Sequence, residues 1–585
     1  MTTAQALLRT PAPADRYTTK NMHTPSTEAR PSLYYNYQVF KPWLPSAHPA
    51  QDRQKVVIVG AGPAGMVTAL ELARHGVPSV VLSAELQLSQ GSRAICFTRR
   101  SMEILQQVGV ADRMTAGGLP WRFGNSYYRG QRVFRMEAPH DPDDRFFPII
   151  NVQQQFMEEY LHDACQANPL IDFRWGNKLE KIDQMDGFAV LEVDTPEGPY
   201  TLESDWVVAA DGGRSGLRSA MNLQMEGASY EGFFVIADIQ IDLPYPTERL
   251  AFFDPEWNPG NTILMHREPH GIWRVDYQLP PGETPEEALR PESLKARIDA
   301  QLAMIGHAGL NWEMDWSSVY SARTLTLPDF VHGSVIFTGD AAHLLPIFGV
   351  RGANTAFQDA QSLGWHLAFV VKGLASTKLL ANHSAERVGA AREIITEAGK
   401  STRFMAPPSP GFRLLRDAVL SLSLTQAFVR PLYHWRTSRP HEYTHSQLNS
   451  MGDDNGLFKS GPAHGAPPQN VRLAANDFLL DHLGGGFDLL YFTDTALPEA
   501  LQQVISAARA TGIPLTVTAV GAAQAVAGAD QYLPDADGHL RQRYGVPANG
   551  GAYLLRPDQH VCARWITLDA TRLQAALTTA LPRGQ

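Results

Sequence analysis

A run of aliphatic residues that leads directly into closely spaced glycines, VVIVGAGPAG at residues 56–65, most constrains what this chain can fold into. The aliphatic residues predict a buried strand. The pattern after them predicts a helix over 63–75 that Gly76 ends as a C′ residue. A second apolar run, VPSVVL at 77–82, predicts the next strand. This strand-helix-strand unit indicates an α/β protein with a doubly wound sheet.

Each of the three glycines has a physical role in a turn that binds a dinucleotide. Gly60 permits the tight turn, Gly62 lets the backbone approach a pyrophosphate, and Gly65 lets the helix pack closely on the strand. The phosphates would lie at the helix N-terminus, where free N–H groups and the helix dipole favour negative charge. The motif alone does not decide between a nicotinamide that dissociates and a flavin that stays bound.

The acidic residue that usually binds the ribose at the end of the second strand is missing from its expected place. Ser83 occupies that place in VVLSAE, and Glu85 is the nearest carboxylate. Three alternatives remain open for the ribose. Either Glu85 reaches back to it, or Ser83 makes a weaker contact with it, or Glu85 is only a solvated loop charge and takes no part.

Composition excludes several classes of function. The 585 residues suggest two to four domains, and the net charge of −10 is spread along the chain, which argues against a nucleic-acid partner. Cys96, Cys165 and Cys562 form neither a CxxC pair nor a metal-ligand spacing, which fits a reducing compartment and predicts no metal. Residues 1–54 contain no apolar signal region, and no run of eighteen apolar residues occurs. We therefore expect a cytoplasmic protein without a membrane span.

The hydrophobic pattern changes along the chain in a way that indicates several units. IADIQID at 236–242 and WRVDYQ at 273–278 alternate between apolar and polar residues, which predicts half-buried antiparallel strands of a separate, inserted sheet. The predicted segments are an N-terminal arm at 1–54, a nucleotide-binding domain at 55–405 with the inserted sheet at about 225–325, a helical segment at 406–451, a linker at 452–470 and a small α/β domain at 471–585.

Two further buried strands end at an aspartate. Asp211 and Gly212 follow WVVAA, and Asp340 follows SVIFTG. Ligands of doubly wound sheets bind at the carboxyl ends of the strands, so carboxylates at these positions favour a ligand site. A single aspartate there could simply cap a helix. Two such strand ends downstream of a glycine-rich turn make that interpretation weaker.

The three motifs, in this order, resemble the FAD-dependent aromatic hydroxylases of the para-hydroxybenzoate hydroxylase and phenol hydroxylase type, the class A flavoprotein monooxygenases. The likeness covers roughly residues 54–405 and is greatest to proteins similar to 3-(3-hydroxyphenyl)propionate hydroxylase. It implies a Rossmann-like FAD-binding domain of the GR2 type, an inserted antiparallel substrate-binding sheet, and a thioredoxin-like domain at 471–585.

The resemblance also implies which residues bind the cofactor. The glycine motif would hold the ADP half of FAD, Arg93 of GSRAICF its phosphates and Asp340 its ribityl chain, while Asp211 and Gly212 would lie near the pyrophosphate. Gln154 of QQFMEEYL would lie on the cofactor, and the loop PIFGVRGAN at 346–354 would pass the flavin ring. The implied FAD contacts are Gly60, Gly62, Gly65, Ser83, Glu85, Arg93, Gln154, Asp211, Gly212, Asp340, Pro346, Gly349, Gly352 and Asn354.

These implied anchors answer the question left open by the first motif. They lie about 280 positions apart in sequence, as the two ends of a long FAD molecule require. A single GxGxxG leaves a nicotinamide without a Rossmann domain of its own. In this family NADH or NADPH reduces the flavin, O₂ adds at its C4a atom, and the resulting hydroperoxide hydroxylates a phenolic ring. The protein contributes orientation, electrostatics and exclusion of water.

The substrate residues are less well defined. Phe252, His266, Trp273 and Tyr277 in the inserted sheet are the pocket candidates. Phenol hydroxylase carries a ring-activating carboxylate in the segment that matches 94–98. Because Ile95 stands there in this sequence, the base is absent or supplied elsewhere, and the catalytic residue is unassigned. His343, three residues after Asp340, is expected to be structural.

The C-terminal domain carries one thiol, Cys562, where a redox role would need two. We therefore expect a structural domain. We also expect a homodimer, to which this domain would provide a contact. Two other functions remain open on the sequence. One is epoxidation or Baeyer–Villiger oxidation of a polycyclic polyketide by the same flavin. The other is a nonenzymatic escort role on the same fold.

Overall fold

The computed structural model describes residues 15–18, 25–49, 52–280, 282–346, 348–433, 440–452, 454–521 and 525–583. In this part of the chain, no helix is both long enough and apolar enough to cross a membrane.

The first sheet contains the glycine-rich turn and is Rossmann-like at its centre. Tyr200–Ala209 pairs in parallel with Gln54–Val59 on one side and with Val335–Phe337 on the other. All four residues of VVIV are buried, as expected for a parallel sheet covered on both faces. The nine strands are Asp15–Thr18, Gln54–Val59, Ser79–Leu82, Ile171–Arg174, Lys178–Met185, Phe188–Asp194, Tyr200–Ala209, Val331–His332 and Val335–Phe337.

Helices cover this sheet and continue beyond it. The helix predicted over 63–75 runs over Pro63–Arg74, with Gly76 in the left-handed region directly after it. The helices of this part of the chain are Pro63–Arg74, Arg99–Gln107, Ala111–Gly117, Gln154–Gln166, Gly216–Ala220, Gly352–Val371, Lys378–Met405 and Pro410–Ser423, with 3₁₀ turns at Pro45–Ala47, Gly339–Ala341 and Ala427–Tyr433. A small sheet of Cys96–Thr98, Leu119–Trp121 and Ile149–Asn151 lies beside them.

The second sheet has eight strands, and some of them lie outside the range of about 225–325 that the sequence predicted for it. Its strands are Phe123–Tyr128, Gln131–Glu137, Glu226–Gln240, Arg249–Phe253, Thr262–Arg267, Ile272–Gln278, Glu313–Thr326 and His343–Leu344. The first hairpin and the last strand come from outside 225–325. Glu226–Gln240 and Ile272–Gln278 pair antiparallel, with Ala237 opposite Val275.

The two faces of this sheet differ in chemistry. One face packs its apolar residues against the helix Pro291–Met304, which follows the short helix Pro285–Ala288. The opposite face, called the inner face below, carries polar residues that are also buried. Asp238 and Arg274 are 0% and 2% exposed. The polar side of the alternation is therefore covered by protein at Asp238 and Arg274, whereas Asp276 and Gln278 keep part of their surface accessible and Asp242 is exposed.

The N-terminal arm lies along the first sheet and its connecting loops. The backbone N–H of Phe40 donates to the carbonyl of Leu86 at 2.7 Å, and that of Trp43 donates to the carbonyl of Trp175 at 2.9 Å. The ring of Phe40 stacks on that of Trp175, with the centroids 4.4 Å apart. The arm thus adds a layer over the ends of two strands.

The C-terminal unit is a five-stranded mixed sheet. Phe487–Phe492 is central, pairing in parallel with Leu515–Gly521 and antiparallel with Gly551–Leu555. Its outer strands are Gln531–Pro534 and Val561–Trp565. Its helices are Glu499–Ala510, His539–Arg543 and Ala570–Ala580, and a two-stranded ribbon of Arg472–Ala474 and Asp477–Phe478 precedes the sheet.

This unit shares a core with the helices of the first domain. Trp365 and Phe369 pack with Phe487 and the strands around it. Arg556, which is fully buried, forms two contacts with the carboxylate of Glu386 at 2.6 and 3.0 Å and a third with Asp558 at 2.6 Å. Because a buried charge is costly without its partner, these contacts fix how the unit sits on the helix Lys378–Met405.

We predict that Glu386→Ala destabilises the whole chain by about 3–5 kcal/mol, because it leaves Arg556 short of a carboxylate in the shared core. Arg392→Ala on the same helix breaks an exposed pair with Glu226 and is expected to cost less than about 1 kcal/mol. Urea denaturation of both variants, followed by circular dichroism, measures the difference. Equal losses would contradict the structural role of the buried pair.

Candidate functional site

Three turns meet at the carboxyl edge of the first sheet. The backbone N–H of Gly60 donates to Leu82 at 2.9 Å, that of Ala210 donates to Val59 at 2.8 Å, and that of Thr338 donates to Ala209 at 3.0 Å. These bonds hold the glycine-rich turn beside the turns that carry Asp211 and Asp340. The sequence motifs, which are far apart along the chain, therefore share one crevice.

Two of the three motif glycines are required by the protein itself. A Cβ on Gly60 would lie 2.3 Å from the carbonyl oxygen of Ala210, and one on Gly65 would lie 1.9 Å from the carbonyl oxygen of Gly60. Gly60 also has a φ of +111°, which other residues rarely adopt. Packing and backbone conformation explain both residues without a ligand.

Gly62 is different. Its φ of −77° and ψ of −177° suit any residue, and a Cβ there would have no atom of the described residues within 4 Å. Neither conformation nor packing requires a glycine. The open space lies at the N-terminus of the helix Pro63–Arg74, where backbone N–H groups can bind an anion. A phosphate close to the backbone fits this site.

The two aspartates differ in their contacts. Asp211 accepts a hydrogen bond through Oδ2 from the backbone of Leu217 at 3.1 Å, so it does contribute to a helix start. Its Oδ1 is buried without a hydrogen bond to any described residue, and burial raises the pKa of its carboxyl. Asp340 lies in the crevice with an exposed side chain. Desolvation by the surrounding protein raises the pKa of Asp340, and the nearby His343 and Arg93 side chains oppose that shift.

Arg218 joins the two aspartate turns, which the sequence analysis missed. Its Nη1 donates to the carbonyl of Ala341 at 3.0 Å and its Nη2 donates to that of Gly213 at 2.7 Å. The signal in the sequence was an arginine in the short helix directly after the Asp211 motif. The guanidinium fixes the spacing of the two turns.

The segment with Arg93 is positioned from two sides. Gln154 accepts from the backbone of Ala94 at 2.9 Å and donates to Glu158 at 2.7 Å, so its amide group is used within the protein. Arg274 of the second sheet donates to the carbonyls of Ser92 and Arg93, the latter at 3.0 Å. The Arg93 side chain itself is exposed.

Ser83 and Glu85 lie together at the end of the second strand. The Ser83 hydroxyl accepts from the backbone of Glu85 at 3.3 Å and is buried, whereas the Glu85 side chain is half-buried. The hydroxyl is therefore used in a local turn.

The loop at 346–354 is held by Asn354. Its Oδ1 accepts from the backbone of Thr98 at 2.8 Å, and its Nδ2 donates to the carbonyls of Cys96 and Val350 at 2.9 and 2.8 Å. Pro346 and Gly349 are buried within this loop, and Gly349 has a φ of +99°. Gly352 begins the next helix, and a Cβ there would meet no described atom within 4 Å.

The four pocket candidates divide between the faces of the second sheet. Phe252, Trp273 and Tyr277 belong to the apolar core beneath the helix Pro291–Met304, on the side away from the loop at 346–354. His266 lies on the inner face, with Nδ1 4.0 Å from the sulfur of Cys96. Burial and two nearby arginines hold the pKa of His266 well below its usual value, so its imidazole is neutral.

His343 is fixed by a buried contact with a carboxylate. Its Nε2 lies 2.6 Å from Oδ2 of Asp359, whose Oδ1 accepts from Nε of Arg387 at 2.6 Å. All three side chains are fully buried. The contacts agree with a structural role for His343.

Known proteins of similar sequence and structure place this geometry in a family. The family described as FAD binding domain matches residues 53–398. A 3-(3-hydroxy-phenyl)propionate/3-hydroxycinnamic acid hydroxylase of Mycolicibacterium smegmatis is 28% identical over 452 residues, which cover 76% of this chain and 78% of that protein. One from Escherichia coli is 26% identical over 92% of this chain and 97% of its own length.

Solved structures agree on the fold. The flavin-dependent monooxygenase PieE, in complex with FAD and substrate, has a TM-score of 0.76 at 23% identity and covers 91% of this chain and 99% of its own. Aklavinone-11 hydroxylase with FAD and aklavinone has a TM-score of 0.73, also at 23% identity, and covers 91% of this chain and 100% of its own. Because the family match spans more than half of the sequence, this chain belongs to the FAD binding domain family and its cofactor is FAD.

Proposed function

We propose that this protein is an FAD-dependent monooxygenase that uses NAD(P)H and O₂ to hydroxylate a phenolic aromatic compound. The observation that carries the proposal is the position of the second sheet. Its buried polar inner face is bonded through Arg274 to the Arg93 segment beside the FAD crevice. The names of the relatives support an aromatic substrate, and 3-(3-hydroxyphenyl)propionate is the first compound to test.

The crevice supplies suitable groups for each part of FAD. The open space at Gly62 and the helix N-terminus suit the pyrophosphate, together with Arg93. Asp340 suits the ribityl hydroxyls, and Asp211 with its unpaired Oδ1 suits a donor near the pyrophosphate. The other residues of the proposed site are Gly60, Gly65, Ser83, Glu85, Gln154, Gly212, Pro346, Gly349, Gly352 and Asn354.

Bound FAD would supply electron transfer from NAD(P)H to O₂ and delivery of one oxygen atom to the ring. The chain itself contributes a positive helix end at Gly352, which would favour negative charge on the ring system. It also covers the inner face of the second sheet, which keeps water away from the substrate. The catalytic work of the protein is positioning, charge stabilisation and exclusion of solvent.

We also propose that 471–585 is a thioredoxin-like domain with a structural role. The parallel pair at its centre, followed by the antiparallel hairpin Gly551–Leu555 and Val561–Trp565, supports this assignment. The Cys562 thiol donates to the carbonyl of Leu554 at 3.4 Å, and burial raises its pKa to about 12. A thiol that does not ionise is a poor redox group. The homodimer and the cytoplasmic location stay predictions of the sequence.

Among the described residues, no contact specifically favours the two alternatives drawn from the sequence, oxidation of a polycyclic polyketide and a nonenzymatic escort role. The experiments below separate them from hydroxylation.

The next prediction concerns the glycine motif. Gly62→Ala should fold normally but bind FAD at least about tenfold more weakly, because its methyl group takes the space proposed for the pyrophosphate. Gly389→Ala is the matched control, since its Cβ also meets open space but lies far along a helix. Gly65→Ala should instead disturb folding, because its Cβ meets the Gly60 carbonyl. The ratio of flavin to protein absorbance and the Tm measure these effects. Full flavin occupancy in Gly62→Ala would remove that glycine from the site.

A third prediction concerns the reaction. With 3-(3-hydroxyphenyl)propionate or another simple phenol, the purified protein should oxidise NADH or NADPH and form a product heavier by one oxygen atom, labelled by ¹⁸O₂. Mass spectrometry detects the product, and catalase reports any H₂O₂. Product from polycyclic quinones but not from phenols would favour the polyketide alternative. Absence of pyridine nucleotide oxidation with every compound would contradict a monooxygenase.

A further inference from the structure

The inner face of the second sheet carries a charged row beside an apolar region. His266, Arg274 and Asp238 lie side by side on three adjacent strands, because His266 is paired with Arg274 and Arg274 with Asp238. Asp276 is two residues further along its strand, between Leu264 and Ile236. Its carboxyl therefore lies where the charged row ends and the apolar region begins.

The apolar region is adjacent to the loop at 346–354. Phe234, two residues from Ile236 on the same face, contacts the ring of Phe348 with centroids 5.3 Å apart. Leu264 and Phe253 belong to the same cluster. On the charged side, Cys96 contacts His266, and Asn354 binds the Cys96 carbonyl. Asp276 thus lies on the inner face between the contacts to the strand at 96–98 and the contact to the loop proposed to pass the flavin.

The neighbouring arginine does not satisfy Asp276. Arg274 directs Nε and Nη2 at Asp238 at 2.8 and 2.9 Å, and its remaining hydrogen bonds go to the carbonyls of Ser92 and Arg93. Oδ1 of Asp276 is buried and accepts no hydrogen bond from any described residue. Part of the side chain is nevertheless accessible. A buried acceptor without a donor is costly, and a ligand hydroxyl would supply that donor.

The charges around Asp276 suit proton transfer near neutral pH. Burial raises the pKa of Asp276 to about 7, with Asp238 adding to the shift and Arg274 and Arg249 opposing it. The other groups that face it from adjacent elements stay neutral there. Burial raises the pKa of Tyr320 well above its usual value and that of Cys96 to about 12, and lowers that of His266. Glu268, whose pKa is raised well above its usual value, lies 3.3 Å from Arg274.

We propose that Asp276 accepts the proton of the substrate's phenolic hydroxyl group through Oδ1. The inference rests on the proposed function. It assigns the ring-activating base, because Ile95 stands where phenol hydroxylase carries its carboxylate. The phenolic O–H bond breaks, a bond forms between the proton and Oδ1, and the electron pair stays on the phenolate oxygen. The electron-rich ring is then more reactive at its ortho and para positions. The proton leaves to solvent after product release.

Two variants separate contact from proton transfer. Asp276→Ala removes the acceptor, whereas Asp276→Asn keeps an acceptor that cannot take a proton at neutral pH. Binding of 3-(3-hydroxyphenyl)propionate and of 3-phenylpropionate, which lacks the hydroxyl, is followed by flavin absorbance. We expect Asp276→Ala to lose at least tenfold of the preference for the hydroxylated ligand. Asp276→Asn should keep that preference within about threefold and lose about 100-fold in product-forming kcat.

The pH profile supplies a readout that a merely structural residue would not move. Product-forming kcat of the parent should rise with pH through about 7 as Asp276 ionises, because only the carboxylate can take the proton. Asp276→Asn should lack this inflection, Asp276→Glu should regain part of the rate, and the exposed Asp242→Asn should match the parent. FAD absorbance checks that each variant folds.

The experiments distinguish a failure of the Asp276 proposal from a failure of the proposed hydroxylation. An unchanged preference for the hydroxylated ligand in Asp276→Ala, or parental kcat and pH profile in Asp276→Asn, would overturn it. If the parent binds neither ligand, the inference also fails, because its substrate class is wrong. If Asp276→Ala loses the preference while the parent forms no product, the contact stands and the proposed hydroxylation fails.

Discussion

The buried contact between Asp359 and Arg387 is the constraint on which the rest of the site depends. Their charges are fully buried, and the guanidinium together with His343 holds the pKa of the Asp359 carboxyl well below its usual value. The same carboxylate accepts from the backbone of Gly339 at 3.3 Å. Because an unpaired buried charge is so costly, two long helices and the turn before Asp340 are fixed relative to one another.

The helix Gly352–Val371, which contains Asp359, contacts the proposed site at its first turn and the C-terminal unit at its last turns. Its first turn contains Asn354, which binds the strand at 96–98, and its last turns contain Trp365, whose indole donates to Asp558 of the C-terminal unit at 2.9 Å. The C-terminal unit is therefore not an independent appendage. Its packing sets the position of a helix whose other end lies at the proposed flavin ring site.

The sequence was sufficient for the parts of the fold that depend on local pattern. Glycine spacing and aspartates at strand ends identify the crevice, because each is set by its own turn. It was not sufficient for the pocket. Alternation in 273–278 separates Trp273 and Tyr277 from Arg274 and Asp276, but it does not say which face is covered by a helix some twenty residues further on. The aromatic side chains are buried beneath that helix, and the polar ones lie on the inner face. Only the long-range packing of the helix decides which of the two faces is the apolar core.

The electrostatics of the two proposed binding regions are linked through Arg274. Its guanidinium is shared between Asp238 and the carbonyls of the segment that carries Arg93, so the same group that orients a proposed phosphate contact has little hydrogen-bonding capacity left for Asp276. An arginine that paired with Asp276 instead would stabilise its charged form and lower its pKa, which would make it a weaker base. Because Arg274 donates its hydrogen bonds to other groups, the buried carboxylate of Asp276 lies near a positive charge but lacks one hydrogen bond. A phenolic hydroxyl group would supply the missing hydrogen bond to this carboxylate.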